Sequence, residues 1–249
     1  MVKSEQIERG HCFKGKRVVV LGGTSGIGFA AAEAAAWEGA SLVVVSSQKE
    51  RVDRAVSRLP EGTQGYAVDM TNEEQVRQFF SEIGEFDHLI FTAGDPLMVE
   101  SLDATDVDTA YRWFNVRYWG AFMAAKYGSR NIRQGGSITL TSGVAGVRPQ
   151  KGFTVSASIC GAVESLTRAL AVELSPLRVN AVCFGLMRTE LWDAVPEEQR
   201  NAMYEHTGKS LPVGRVGEPE DGAEAFLYLM REKYSTGQII VVDGGSTLV

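Results

Sequence analysis

The feature that most constrains the fold is an alternation repeated along the chain. Short apolar, β-branched runs are separated by longer helix-forming segments. Strands are predicted at RVVVLG (17–22), LVVVSS (42–47), GYAVD (65–69), DHLIFTAG (87–94), SITLTS (137–142), LRVNAVCFG (177–185) and QIIVVDGG (238–245). Helices are predicted over 28–40, over 50–59, after a cap near Thr71 with Glu74 three residues on, from about Asp103 to Arg133, and from about Ser156 to Leu174. Strands apolar on both faces and joined by helices form a parallel sheet covered on both sides. The expectation is therefore α/β, a doubly wound parallel sheet of about seven strands. No linker, repeat or low-complexity tract interrupts the pattern, so residues 1–249 read as one domain with a polar N-terminal extension over 1–13.

Composition narrows the partners. A chain of 249 residues that is 44% hydrophobic can bury one large core. Net charge is −6 and no basic stripe is present, which argues against nucleic acid. Cys12, Cys160 and Cys183 make an odd set without C-x-x-C spacing, so neither a disulfide framework nor a metal site is expected. No apolar run approaches the roughly 18 residues of a membrane span, and the N-terminus lacks the apolar stretch of a signal peptide. A soluble, cytoplasmic protein acting on a small molecule is the expectation.

Ligands of open parallel sheets bind beyond the carboxyl ends of the strands. The first strand ends in LGGTSGIG (21–28), and a helix follows at once. Gly22, Gly26 and Gly28, with Thr24, Ser25 and Ile27 between them, suit a tight turn that brings backbone N–H groups to a pyrophosphate. A carboxylate at the end of the second strand would select NAD, but this strand runs into Ser46, Ser47 and Gln48, with Lys49 and Arg51 nearby. Hydroxyls and cations favour a 2′-phosphate, hence NADP(H). Asp69 and Met70, after the third strand, are placed to meet the adenine, and Ala93-Gly94 to let backbone approach the ribose.

Taken together, the G-x-x-x-G-x-G spacing, Asp69, TAG at 92–94, Asn115, Ser142, RVNAV at 178–182 and VDGG at 242–245 resemble the short-chain dehydrogenases/reductases over about residues 14–247. The resemblance implies a Rossmann-type sheet, a nicotinamide cofactor and a homodimer or homotetramer. It assigns Gly185, Leu186 and Thr189 to the nicotinamide end, and about 190–210 to a mobile lid over the substrate.

In that family a Ser and a Tyr polarise a carbonyl, a Lys four residues later lowers the Tyr pKa, and an Asn relays protons through water. Ser142 and Asn115 fit the Ser and the Asn. Anchored on GAVESLTRALAVEL, the Tyr and Lys positions hold Ser156 and Cys160. Loss of a positioned acid costs about 10²–10⁴-fold in rate, so ordinary ketone reduction is disfavoured. An iminium or imine needs no proton delivered with the hydride. Divergent fungal members that reduce cyclic imines of indole alkaloids and guide a ring closure lack the same pair, and this chain resembles them in Ser46-Ser47 and ERVDRAV. The expected function is an NADPH-dependent reductase of a C=N or otherwise activated bond in secondary metabolism, with a pocket-guided cyclisation beside it, Asp95, Arg148 and Trp192 as candidate substrate contacts, and Tyr111, Asn115, Tyr118, Trp119 and Met123 on one helix face. Two alternatives stand beside it: a non-catalytic dinucleotide-binding partner or sensor, and a carbonyl reductase with a substitute acid such as Cys160.

Overall fold

A computed structural model describes residues 12–95 and 99–249. Seven strands form one parallel sheet: β1 Arg17–Leu21, β2 Ser41–Ser46, β3 Gln64–Ala67, β4 Phe86–Phe91, β5 Ile132–Gly143, β6 Arg178–Phe184 and β7 Ile239–Val242. Their spatial order is β3-β2-β1-β4-β5-β6-β7. The direction of winding reverses between β1 and β4, which opens a crevice at their carboxyl ends.

Side-chain alternation sorts the sheet into two cores. Val18 and Val20 of β1, with Leu42 and Val44 of β2, face α1 (Gly26–Trp37), α2 (Lys49–Val56) and α8 (Pro219–Arg231). Val19, Leu21, Val43 and Val45 face the other way, onto α3 (Glu73–Glu82), α5 (Ala121–Gly128) and α6 (Thr154–Glu173). The three valines and the leucine that follow Arg17 in β1 are all fully buried, as both-sided coverage requires. The Ala-rich sequence of α1 serves the same end: Ala31, Ala32 and Ala35 are fully buried and let the helix lie close on the sheet.

Several boundaries differ from the sequence reading. The helix expected from Asp103 to Arg133 is broken into pieces. Leu102–Ala104 is a separate 3₁₀ turn, and α4 (Val107–Phe114) starts after Asp106, whose carboxylate accepts from Thr109 N at 2.8 Å. A π-helical turn, Asn115–Gly120, joins α4 to α5. Arg133 lies instead in β5, which begins early because Ile132 pairs with Phe86 before a register shift. Asn72 rather than Thr71 caps α3, accepting from Gln75 N, because Thr71 is engaged with Asp69. Helix α8 was absent from the sequence reading altogether.

Helix α6 is, among the described residues, the one helix long and apolar enough by length and hydropathy to cross a membrane. Here its inner face, with Ile159, Val163, Leu166 and Leu170, packs on β5 and β6. The segment around 190–210 is a 3₁₀ turn (Glu190–Trp192) followed by α7 (Glu197–Ser210). It is held by a small cluster of Tyr204, Leu211 and Val216, against which Leu186, Trp192 and Met203 rest.

Candidate active site

The crevice between β1 and β4 is built backbone on backbone. Gly22 leaves β1 at φ 88°, and a Cβ there would stand 2.5 Å from the amide nitrogen of Ala93. A Cβ on Gly28 would stand 2.3 Å from both the Gly22 carbonyl oxygen and Thr92 Oγ1. The hydroxyl of Thr92 donates to the carbonyls of Leu21 (3.1 Å) and Gly22 (3.2 Å), so the turn is clamped from β4. Ser25 caps α1 in an extended conformation without a side-chain cap bond, and the first turn of α1 carries no acid. The first N–H groups of α1 therefore face the crevice, with the positive end of the helix dipole behind them. Glycine cradle and open helix terminus fit a pyrophosphate. Ile27 contributes only backbone here, because its side chain lies against Gly222 of α8.

At the adenosine end, Ser46 closes β2 and the exposed Ser47 and Gln48 lead into α2. Lys49 is turned along its own helix to Asp53, so the free hydroxyls, Gln48 and exposed Arg51 are what remain for a 2′-phosphate. Asp69 spends one carboxylate oxygen on the backbone N–H and hydroxyl of Thr71, both at 2.8 Å. This holds the loop after β3 in place beside the crevice. Met70 is different from the expectation for its side chain, which is buried in the core, its carbonyl beneath Gly120. Only its backbone can serve a ligand.

At the opposite end, Gly185 N–H donates to Val242 O at 3.0 Å, and a Cβ on it would stand 2.7 Å from Asp243 Cα. The loop from β6 is thereby folded back over the sheet, with the Asp243 carboxylate gathering the N–H groups of Gly245 and Thr247. Leu186 leans into the cluster under α7, while Thr189 comes to rest against Gly26, 3.3 Å from where its Cβ would be.

The two residues singled out as catalytic go to different places. Ser142, next to last in β5, is almost fully buried, and its hydroxyl lies 2.9 Å from Glu164 Oε1, to which it donates, and 3.4 Å from the carbonyl of Cys160. Glu164, buried in the middle of α6, was missed in the sequence, as was its link to the exposed Arg168 at 3.8 Å. Asn115 begins the π-helical turn on the outside and lines an apolar cleft between α4 and α6. Two residues on, Arg117 turns inward. Its Cζ and both terminal nitrogens lie 2.7–2.9 Å from the Cβ position of Gly94, and it donates to the carbonyl of Asp95. Its Nε is buried without a hydrogen-bond partner among the described residues. Burial pulls the guanidinium pKa down, opposed by the nearby Cys160 and Asp95.

Ser156 and Cys160, at the positions where a Tyr and a Lys were sought, share the inner side of the first turns of α6. Cys160 Sγ sits 3.4 Å from the Cβ position of Gly143, and its Cβ 2.9 Å from that of Gly146. Burial raises the Cys160 thiol pKa, against the Gly143 N–H and the Arg117 charge. Cys183, opposite Ser142 on β6, is pushed up by burial to about 12. Both sulfurs are thiols at neutral pH. Of the earlier tyrosines, Tyr127 is bound to Glu73 at 2.6 Å, and Tyr118 stacks edge-on against Trp119 at 5.0 Å.

The substrate candidates are also separated. Asp95 is exposed at the crevice rim and meets Arg117 through its carbonyl. Arg148 is tied to the carbonyl of Ser246 at 2.6 Å, bracing the C-terminal loop. Trp192 rests in the cluster under α7. The proposed single helix face does not hold: Tyr111 and Trp119 are exposed, whereas Met123 is buried. The π-helical turn shifts the phase between them. Tyr111, Asn115 and Trp119 do share one cleft, of about 550 Å³, with Val155 and Ser158 of α6.

Comparison with known proteins places this geometry. Residues 22–247 match the family model described as Enoyl-(Acyl carrier protein) reductase. The chain is 36% identical to the short-chain dehydrogenase/reductase ATR9 of Stachybotrys chlorohalonatus over 94% of this chain and 98% of that one. A solved small-chain dehydrogenase in complex with NADPH is 40% identical, covering 94% of this chain and 99% of that one with a TM-score of 0.84. The MalC Reductase/Diels-Alderase of Malbranchea aurantiaca is 29% identical, covering 96% and 98% with a TM-score of 0.88.

Proposed function

The chain belongs to the short-chain dehydrogenase/reductase family, and from that premise we propose that it is an NADPH-dependent reductase of an activated C=N or conjugated bond. When bound, the reduced nicotinamide supplies a hydride. Gly22, Thr24, Ser25, Gly26 and the backbone of Ile27 hold the pyrophosphate. Ser46, Ser47 and Gln48 receive the 2′-phosphate, Asp69 and the backbone of Met70 border the adenine, and Ala93, Gly94 and Thr189 border the riboses and nicotinamide. NADPH in the complex of the 40% identical relative supports this choice.

The observation that carries the reading is the Arg117 guanidinium beside Gly94 and Cys160. A guanidinium stays charged at neutral pH and is no proton donor there. It can hold and polarise an oxygen of the substrate in a site where charge interactions are strong. Cys160, a thiol of raised pKa, is poorly matched as the acid. The acceptor is therefore one that takes hydride by charge stabilisation rather than by concerted protonation. A bare iminium would be repelled by Arg117, so the substrate carries an oxygen close to its C=N or C=C. Ser142 holds Glu164 and the start of α6, and Asn115 borders the outer cleft. The MalC relative is called a reductase and a Diels-Alderase, which supports a pocket-guided ring closure after reduction. Exposed Tyr111, Trp119 and Phe122 support a homo-oligomer, and free cysteines in an acidic chain support a cytoplasmic setting.

The test is titration with NADPH and NADH by tryptophan quenching, then a panel of cyclic imines, enones and simple ketones. NADPH binding well above NADH, with turnover of activated acceptors alone, is expected. Binding without turnover of any compound would favour a dinucleotide-binding partner. No binding of either cofactor would overturn the reading.

A further inference from the structure

The N-terminus of α1 has no anion of its own, yet one reaches it from far along the chain. Ser25 makes no cap bond, and no acid stands in the first turn. Glu190, opening the 3₁₀ turn after Thr189, brings Oε2 to 3.3 Å from the Cβ position of Gly26, the first residue of α1. A carboxylate there is favoured by the helix dipole and by the uncapped N–H groups. Those are the same donors that a pyrophosphate would use. Glu190 also lines a cavity of about 380 Å³ that runs from Ser25 and Gly26 to Arg188 and Arg200. Arg200 lies in α7 and is paired with Asp193 at 2.6 Å.

We propose that Glu190 is a built-in competitor of the cofactor's pyrophosphate for the N-terminus of α1. The inference rests on the dinucleotide reading above and adds a determinant of cofactor affinity to it. A dianionic pyrophosphate on the N-terminus of α1 would repel a carboxylate beside it, so binding displaces Glu190 into the cavity, toward the guanidinium groups of Arg188 and Arg200. Because only residues 193–196 separate the Glu190–Trp192 turn from α7, that displacement is passed toward the segment over the substrate side. Glu190 is exposed, so its electrostatic effect is that of a surface group at a helix end, about two- to fivefold in affinity.

The experiment compares NADPH binding to wild type, Glu190→Gln and Glu197→Gln at low and high salt, with backbone hydrogen exchange of residues 189–210. Glu190→Gln should bind NADPH about two- to fivefold more tightly, with the gain shrinking as salt rises. It should also weaken the change in exchange over 189–210 on binding. Glu197→Gln removes the same charge from the exposed start of α7 and should leave affinity unchanged. Equal affinities for wild type and Glu190→Gln, with NADPH clearly bound, would overturn the competitor and leave the dinucleotide reading intact. An equal gain from Glu197→Gln would reduce the effect to net charge and overturn it too. No NADPH binding by any of the three would remove the dinucleotide reading and this inference with it. Thermal midpoints for each variant establish that all are folded.

Discussion

Arg117 and Gly94 are in direct contact: the guanidinium carbon stands 2.7 Å from the point a Cβ on Gly94 would occupy. Gly94 thus makes room for a cation that enters from the π-helical turn. Among the described residues, the acceptor that meets this cation is the carbonyl of Asp95, and its Nε–H has no partner.

Arg117→Ala should lower kcat on the accepted substrate by about 10²–10³-fold, the range for removing one preorganised donor at a site of developing charge. NADPH affinity should change far less. Arg117→Lys keeps the charge but loses the planar fork, and should recover only part of the rate. Steady-state kinetics with parallel NADPH titrations separate these effects. Equal losses in NADPH affinity and kcat would make Arg117 a cofactor contact rather than a substrate one.

Restoring a lysine at the sixth helix should fail while Arg117 is present. Cys160 is largely enclosed by Gly143 and Gly146, and it lies within electrostatic reach of Arg117. Cys160→Lys puts a second cation into that space, with desolvation and like-charge repulsion both acting against it. The cost should be about 1–3 kcal/mol in urea unfolding. Arg117→Asn in the same chain should recover a good part of it, so that the double-mutant cycle shows a coupling of about 0.5–3 kcal/mol. Simple additivity would mean that the two positions do not share one charge site.

The strands and the glycine cradle were legible because their signals are local. Val18–Leu21 are apolar on consecutive residues, and Gly22, Gly26 and Gly28 follow them directly and open a helix, as a strand–turn–helix requires. The placement of Asn115 on the outer cleft was not legible, because residue type says nothing of helix phase. A π-helical turn changes which residue points inward, and nothing in a periodicity of 3.6 anticipates it. One signal was available: Arg117 is the only charged residue in WFNVRYWGAFMAA (113–125), and a cation in an apolar run faces something. Helix α8 also announced itself, through Glu218, Pro219 and Asp221, which form its capping box and first turn. The Ser142–Glu164 pair was not legible, because it spans two elements and depends on how deeply α6 sits against β5.

His88 gives the fold a pH dependence of definite sign. It lies in β4, 4% exposed, with Nδ1 2.9 Å from Ser137 Oγ and its ring edge-on to Phe13 at 5.9 Å. Burial lowers its pKa from 6.5 to about 4, against the pull of Asp87, with Arg178 and Lys16 adding to the fall. The folded protein therefore keeps a neutral imidazole to about pH 4, while the unfolded chain takes up a proton near 6.5. Between those values the unfolded state binds more protons, so stability falls as pH falls, by at most about 3 kcal/mol across the window. Asp87, whose pKa is lowered despite burial by the Arg17 N–H and Lys16, loses its contribution only below its ordinary value of 3.8, outside that window. Urea midpoints measured from pH 7 to 4 should decline for wild type. His88→Gln, which keeps a hydrogen-bonding group toward Ser137 and cannot titrate, should be less stable at pH 7 but should decline less steeply. A wild-type profile flat from pH 6.5 to 4 would mean that the imidazole charges inside the folded sheet.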